Sequence, residues 1–157
     1  MSKPLQLIGR QEFINLPEFG LKAVEAKIDT GAYTSAINCS KVKLTKVNGV
    51  PTLTFQLSGI KIHEKKARKF STTTFKKKKI RSSNGNIEER YIVMTTAVVF
   101  RRRIKTEFSL SDRSKMKFPI LIGRKLLKNR FIVDVSKKNL SLNTDPKKSV
   151  EEIIPKH

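Results

Sequence analysis

The sequence predicts an all-β fold with a single short helix. Its Thr, Val, Ile and Phe residues fall in short runs that alternate between polar and apolar character, as half-buried strands do. Two turn signals, Asn48-Gly49 and residues 82–86, separate such runs, because Asn and Gly tolerate the positive φ angles of tight hairpins. Residues 124–129 are the best candidate for the helix.

Strands are expected to follow one another along most of the chain. The second strand, residues 21–28, runs directly into Asp29-Thr30-Gly31. Residues 118–123 form a continuous apolar run, which is typical of a strand buried on both faces. In chain order the expected strands are 5–9, 21–28, 35–39, 42–47 paired with 52–57, 75–81 paired with 89–100, 104–110, 118–123, 131–135 and 140–142.

The length of 157 residues suits one domain, which we assign to residues 1–143, followed by a charged tail at 144–157. No apolar run approaches the roughly 20 residues of a membrane helix, and the first residues lack the apolar segment of a secretory signal. Cys39 is the only cysteine, so an intrachain disulfide is excluded. We therefore expect a cytoplasmic protein without a membrane segment.

The charge is strongly one-sided, with 34 Lys and Arg residues against 13 Asp and Glu residues and a net charge of +21. Such an excess concerns partners and solubility rather than fold. The partners it favours are polyanions: nucleic acid, an acidic membrane surface or a glutamate-rich protein.

Asp29-Thr30-Gly31 can present a carboxylate in a tight turn at the end of an apolar strand. Gly31 allows a close approach of the backbone, and the Thr30 hydroxyl can brace the turn. Two facing carboxylates that share one proton can hydrolyse an amide, one as base towards water and the other as acid. Taken alone, however, the tripeptide is more often an ordinary β-turn.

The chain contains a single Asp-Thr-Gly, since Asp112, Asp134 and Asp145 lack the Thr-Gly that follows Asp29. A paired-carboxylate mechanism would need a second copy from another subunit. A twofold axis between two Asp29 side chains would supply it, so the interpretation as a peptidase predicts a homodimer.

Two segments together resemble the retropepsins, the dimeric aspartic peptidases. Residues 26–32, Ala-Lys-Ile-Asp-Thr-Gly-Ala, are similar to their active-site strand. Residues 120–127, Ile-Leu-Ile-Gly-Arg-Lys-Leu-Leu, are similar to their second signature. The wider pattern, which extends to about Asp134, resembles the cellular retropepsin-like family long labelled as ATP-dependent zinc proteases and associated with ATP-grasp glutamate ligases.

This resemblance implies a closed retropepsin-like barrel, a flap hairpin and a homodimer that removes glutamate tails added by the partner ligase to a ribosomal protein. Asp29, Thr30 and Gly31 would be catalytic. The supporting residues would be Ala32, Leu121, Ile122, Gly123 and Arg124. The flap tip would comprise Ser82, Ser83, Asn84 and Gly85.

One departure from the viral enzymes affects Arg124. Viral retropepsins have an acidic residue soon after the Asp-Thr-Gly-Ala segment, which pairs with this arginine, whereas Tyr33 and Thr34 stand here. The alternative ion-pair partners of Arg124 are Asp112, Asp134 and the carboxylates of a substrate.

The sequence favours no metal and no cofactor. A catalytic zinc site usually needs three protein ligands, and the histidines are limited to His63 and His157, with no His-Glu-x-x-His spacing. A phosphate-binding Gly-x-x-x-x-Gly-Lys-Ser/Thr loop is also missing. Any ATP requirement would belong to a partner ligase.

Basic clusters flank the expected flap and the apolar run at 118–123, where a cleft would meet an acidic tail. The expected carboxylate-binding residues are Lys76, Lys77, Lys78, Lys79, Arg81, Arg90, Arg113 and Arg124. A solvated basic face is the ordinary explanation of such runs. Two other functions remain open: a nucleic-acid- or ribosome-binding module, and a retropepsin-like fold that binds without cleaving.

Overall fold

The computed structural model describes residues 4–57, 69–81, 85–112 and 117–143. Within these ranges the chain forms eleven strands, one short helix and two 3-10 turns. The strands are β1 (Gln6–Ile8), β2 (Gln11–Leu16), β3 (Leu21–Ile28), β4 (Ser35–Val47), β5 (Val50–Leu57), β6 (Lys69–Thr72), β7 (Phe75–Arg81), β8 (Ile87–Val99), β9 (Arg102–Ser111), β10 (Ile120–Ile122) and β11 (Phe131–Val133). The helix α1 is Arg124–Leu127, and the 3-10 turns are Pro17–Phe19 and Leu140–Asn143.

The main sheet has the strand order β10-β3-β2-β8-β9-β4-β5-β6, and β10 also pairs with β4. Strand pairing therefore forms a ring, which runs from β10 through β3, β2, β8, β9 and β4 and back to β10. β7 pairs with β8 outside this path, and β1 and β11 form a separate parallel pair. This order brings β3 and β10 side by side in parallel, although six strands lie between them in the chain.

The core lies where the inward faces of these strands meet. In β2 alternate residues are buried, as expected for a strand with one face towards the core. Phe55 and Phe108 are almost completely buried, and burial of one such side chain contributes about 2–3 kcal/mol. Phe19 and Phe70 pack edge-on with centroids 5.0 Å apart, which places the Pro17–Phe19 turn over the sheet.

The expected all-β fold with one short helix is confirmed, as are both hairpins. The expected strands at 35–39 and 42–47 form one strand, β4, instead of two. Lys41 adopts a φ of 52°, and the register with β5 shifts between Ser40 and Lys43. A β-bulge thus lets the strand bend without ending.

The expected strand at 140–142 is wrong, because these residues form the Leu140–Asn143 3-10 turn. The buried Glu12 carboxylate explains the difference. Its Oε1 accepts the Ser141 N–H at 2.9 Å, while its Oε2 accepts the Gly9 N–H at 2.9 Å. A side chain therefore satisfies the backbone donor that a strand partner would have satisfied.

Cys39 is fully buried in β4, and its burial raises the pKa of the thiol to about 12. Its side chain acts as a small core residue. A search of the described part of the chain for membrane-spanning helices finds none of sufficient length and apolarity.

Candidate active site

Asp29 follows β3 directly and is held by β10. The parallel register aligns Ile28 with Ile122, and the Asp29 N–H donates to the Ile122 carbonyl at 2.8 Å. The Ala32 N–H then closes the turn on the Asp29 carbonyl at 3.2 Å. The backbone of the turn is thus fixed at both ends, and the Asp29 side chain projects from an anchored position.

The Asp29 carboxylate is oriented within its own turn. Its Oδ1 accepts the Gly31 N–H at 3.0 Å. A Cβ atom at position 31 would lie 3.2 Å from that same oxygen, so glycine permits the short approach. Asp29 is half-buried while Thr30 and Gly31 are exposed, which leaves the carboxylate accessible to a reactant.

The segment that joins β10 to α1 supports the turn from behind. The Arg124 N–H donates to the Ala32 carbonyl at 2.8 Å, and the Lys125 N–H donates to the Tyr33 carbonyl at 2.9 Å. Gly123 is buried, and a Cβ atom there would lie 2.6 Å from the Tyr33 carbonyl oxygen. Only glycine fits between the two segments at this distance.

Ser35, the first residue of β4, is a support that the sequence interpretation missed. Its buried hydroxyl accepts the Gly123 N–H at 3.0 Å. Its carbonyl accepts the Ser109 hydroxyl at 3.4 Å. A serine at the start of an apolar strand was the available signal, but its partner lies 88 residues away in the chain.

Replacement of Ser35 by alanine should leave the buried Gly123 N–H without an acceptor. An unsatisfied buried donor costs about 1–3 kcal/mol, so we expect S35A to lower the free energy of unfolding by this amount. Urea unfolding would measure the change. The matched control is S71A on the exposed face of β6, which should change stability by less than about 0.5 kcal/mol.

Arg124 contacts neither of the two carboxylates considered from the sequence. Its Nη1 donates to the Thr30 carbonyl at 2.9 Å, and its guanidinium lies over the Tyr33 ring at 5.7 Å from the centroid. The Asp134 carboxylate instead accepts the Ser136 hydroxyl and N–H, and these bonds hold the pKa of Asp134 below its ordinary value. Arg124 therefore supports the turn through its hydrogen bond to the Thr30 carbonyl.

The arms of the expected flap are β7 and β8, which pair from Phe75 opposite Val93 to Arg81 opposite Ile87. Of the expected tip, Ser82, Ser83 and Asn84 lie outside the described residues. Gly85 is described and has a φ of 87°, a conformation that favours glycine.

The basic residues expected to bind substrate lie in several environments. Lys76 and Lys78 pair with Glu107 on one face of the hairpin. Lys77 points the other way, with its ammonium 5.2 Å from the Tyr91 ring centroid. Lys79 also lies on β7 and is exposed. Arg90 pairs with Glu88 at 3.1 Å. Arg113 lies outside the described residues.

Glu107 on β9 is buried and pairs with three lysines: Lys76, Lys78 and Lys125. The hydrogen bond from Lys76 is the largest cause that lowers the pKa of Glu107 from 4.5 to about 2, opposed by burial. Because Lys125 lies in α1, this carboxylate connects one arm of the hairpin to the helix behind the Asp29 turn.

The ionised form of Glu107 should stabilise the fold. A carboxyl group whose pKa is lower in the folded state contributes stability above about pH 4.5, and the contribution is lost as the pH falls towards 2. We expect E107Q to lower the free energy of unfolding by about 2 kcal/mol at pH 7.

Urea unfolding across pH would test this expectation, with the wild type and E107Q converging near pH 2. The control is E88Q, which removes an exposed carboxylate and should cost less than about 0.5 kcal/mol. A stability difference that is the same at pH 7 and at pH 2.5 would contradict the role of the charge.

Within the described ranges, no three His, Cys, Asp or Glu side chains are grouped so that they could hold a metal ion. His63 and His157 both lie outside those ranges.

Comparison with solved structures supports the fold. A crystal structure of the protein Lpg0085 of unknown function (DUF785) from Legionella pneumophila subsp. pneumophila str. Philadelphia 1 superimposes with a TM-score of 0.69. The match covers 87% of this chain and 98% of that one at 20% sequence identity.

Curated relatives carry the name "Probable alpha-L-glutamate ligase". The protein from Shewanella halifaxensis (strain HAW-EB4) is 31% identical over 136 residues, and the one from Desulfotalea psychrophila (strain LSv54 / DSM 12343) is 29% identical over 129 residues. The matches cover 87% and 82% of this chain, but 30% and 28% of those proteins. The chain thus spans less than a third of the length of these relatives.

A family model gives the most direct assignment. The model described as "Retropepsin-like aspartic endopeptidase RimB" matches residues 7–144, a range that includes the Asp29 turn and the Gly123-Arg124 support. The chain belongs to the RimB-like family of retropepsin-like aspartic endopeptidases.

Proposed function

We propose that this chain is one half of an aspartic peptidase that removes acidic, polyglutamate tails from a protein. The observation that carries the proposal is the Asp29 turn, in which Ile122 and Arg124 fix the backbone while the carboxylate stays accessible. Such an anchored carboxylate can act as base or acid without reorganisation during the reaction.

The mechanism needs a second carboxylate, and we assign it to Asp29 of a second copy. Two carboxylates at close range share one proton, so that the charged one activates water and the protonated one donates to the carbonyl oxygen. The ring of strand pairings supports a closed barrel, whose edge would carry the turn to a twofold axis. The homodimer is thus part of the proposal.

Charge supports an acidic substrate. The net charge of +21 attracts a flexible polyanion, and attraction of this kind raises encounter rates. The relatives named as glutamate ligases suggest a substrate that such an enzyme would produce, a glutamate tail on a ribosomal or other protein. We propose a functional link to an ATP-grasp ligase on this basis.

Cleavage of matched peptides would test the substrate class. A peptide that ends in a run of glutamates should be cleaved faster than the same peptide with glutamines. The advantage should shrink as salt rises, because the Debye length falls from about 30 Å at 0.01 M to about 8 Å at 0.15 M. Equal rates at every salt concentration would contradict the proposal.

The net charge also supports a second candidate, a module that binds nucleic acid or the ribosome. Tight, salt-dependent binding of RNA together with an absence of cleavage of every peptide would favour it. This candidate leaves the Asp29 turn and its supports without a role.

A further inference from the structure

The cluster around Glu107 has more positive charge than its structural role requires. Within the described ranges, one carboxylate faces the ammonium groups of Lys76, Lys78 and Lys125, so two positive charges are in excess there. A simple structural ion pair would need one cation. The side chain of Glu107 is 5% exposed, whereas those of the three lysines are 51%, 43% and 38% exposed. The excess charge is therefore accessible to solvent.

The lysines also have unused hydrogen-bonding capacity. Each ammonium group carries three donors, and each makes one contact with Glu107, at 3.2 Å for both Lys78 and Lys125. Among the residues that the structure describes, two donors on each lysine remain for a second acceptor. Glu107 holds these groups together at a spacing that three free lysines would avoid through repulsion.

A pocket of 160 Å³ opens beside this cluster. It is lined by Thr74, Phe75, Lys76, Ile92, Met94 and Glu107. At about 30 Å³ for each water it has room for roughly five waters, and it is well below the roughly 300 Å³ at which small-molecule sites begin. This size suits a single side chain of a peptide.

The lining matches an acid on a short aliphatic stem. Phe75, Ile92 and Met94 provide an apolar wall for methylene groups. Lys76 is the one lysine of the cluster that lines the pocket, where it lies beside the Glu107 carboxylate, and Lys78 and Lys125 pair with Glu107 outside the lining. A nucleic-acid backbone would offer phosphates without an aliphatic stem and would use an open row of cations rather than a pocket.

We propose that this pocket binds the side-chain carboxylate of an acidic peptide, and that Glu107 is the fixed counter-ion that positions the lysines for it. The identification of that peptide with the substrate rests on the proposed function. The site is distinct from Asp29, to which it is connected through α1, since Lys125 donates its N–H to the Tyr33 carbonyl and pairs with Glu107.

The test measures binding of a fluorescein-labelled hexaglutamate peptide by anisotropy, in an Asp29→Asn background so that no peptide is cleaved. The alternation of β7 gives a matched comparison, because Lys76 and Lys78 face Glu107 while Lys77 and Lys79 occupy the alternate positions. We expect K76A/K78A to raise the Kd about tenfold and K77A/K79A about twofold, although both remove two charges.

A second comparison separates positioning from net charge. Glu107→Gln raises the net positive charge but removes the carboxylate that holds the lysines together, so peptide binding should weaken about fivefold, whereas attraction by net charge alone predicts tighter binding. Met94 is partly exposed, so its replacement tests the pocket without loss of the fold. Met94→Glu should weaken binding about fivefold relative to Met94→Gln.

Equal weakening by the two lysine pairs would overturn the proposal, as would a folded Glu107→Gln protein that binds the peptide as tightly as before or more tightly. Displacement of the peptide by single-stranded oligouridylate to the same extent in all variants would also overturn it.

The proposed function has a separate readout. Cleavage by the wild type without this binding pattern refutes the pocket alone, and the binding pattern without Asp29-dependent cleavage refutes the peptidase alone.

Discussion

Replacement of Asp29 by asparagine is expected to reduce peptide cleavage at least about 10³-fold, with little change in stability. The substitution keeps the size of the side chain and an oxygen for the Gly31 N–H, but it removes the ionisable group that would activate water. Initial rates on the glutamate peptide measure the effect. Asp112→Asn is the control, because it removes an equal charge from an exposed position outside the turn and should retain activity.

Mixing of the two proteins would reveal whether one site uses two subunits. If subunits exchange freely and both Asp29 carboxylates are needed, an equal mixture should show about one quarter of the activity of the same total amount of wild type. A chain that acts alone would show one half. Full activity of D29N itself would refute an aspartic mechanism.

Replacement of Gly123 by alanine is expected to have the largest effect on stability. The added methyl would lie 2.6 Å from the Tyr33 carbonyl oxygen and 2.9 Å from the Ala32 carbonyl oxygen. Both are backbone atoms, so the loop that carries Asp29 must shift. We expect a loss of about 3 kcal/mol in the free energy of unfolding and a large loss of cleavage activity in the protein that remains folded.

Gly49→Ala provides the comparison for this prediction. Gly49 lies in the β4–β5 turn with a φ of +78°, and no atom of the described part of the chain lies within 4 Å of an added Cβ. Strain alone should cost about 1 kcal/mol, with no effect on activity. Urea unfolding of both variants measures how much free energy of unfolding each substitution removes, which separates steric displacement of the site from conformational strain. Equal losses in the two variants would contradict the close packing of Gly123.

The residues at the centre of the candidate site could be predicted from the sequence, whereas their supports could be predicted only in part. Asp29-Thr30-Gly31 and Gly123-Arg124 are contiguous motifs at the ends of apolar runs, so local pattern reveals them. The contact of Arg124 with the Thr30 carbonyl could not be foreseen, because it depends on how β10 aligns with β3.

Buried polar residues in strands account for most of what was missed. No role was assigned to Ser35 or Glu107 from the sequence, because polar residues in strands usually contact solvent. In the structure Ser35 satisfies a backbone donor, and Glu107 is surrounded by lysines from two other elements. Pairings of this kind join residues far apart in the chain, and no local period encodes them.

The parallel pairing of β3 with β10 also constrains the order of events during synthesis. Asp29 emerges from the ribosome long before Ile122, whose carbonyl holds the Asp29 N–H. The loop between β3 and β10 is long, so its closure is slow, and closure must occur before the contacts between the two strands can stabilise it. A nascent chain therefore carries the Asp29 carboxylate in an unformed turn until β10 has been made, so the proposed peptidase would gain activity only when the domain is nearly complete.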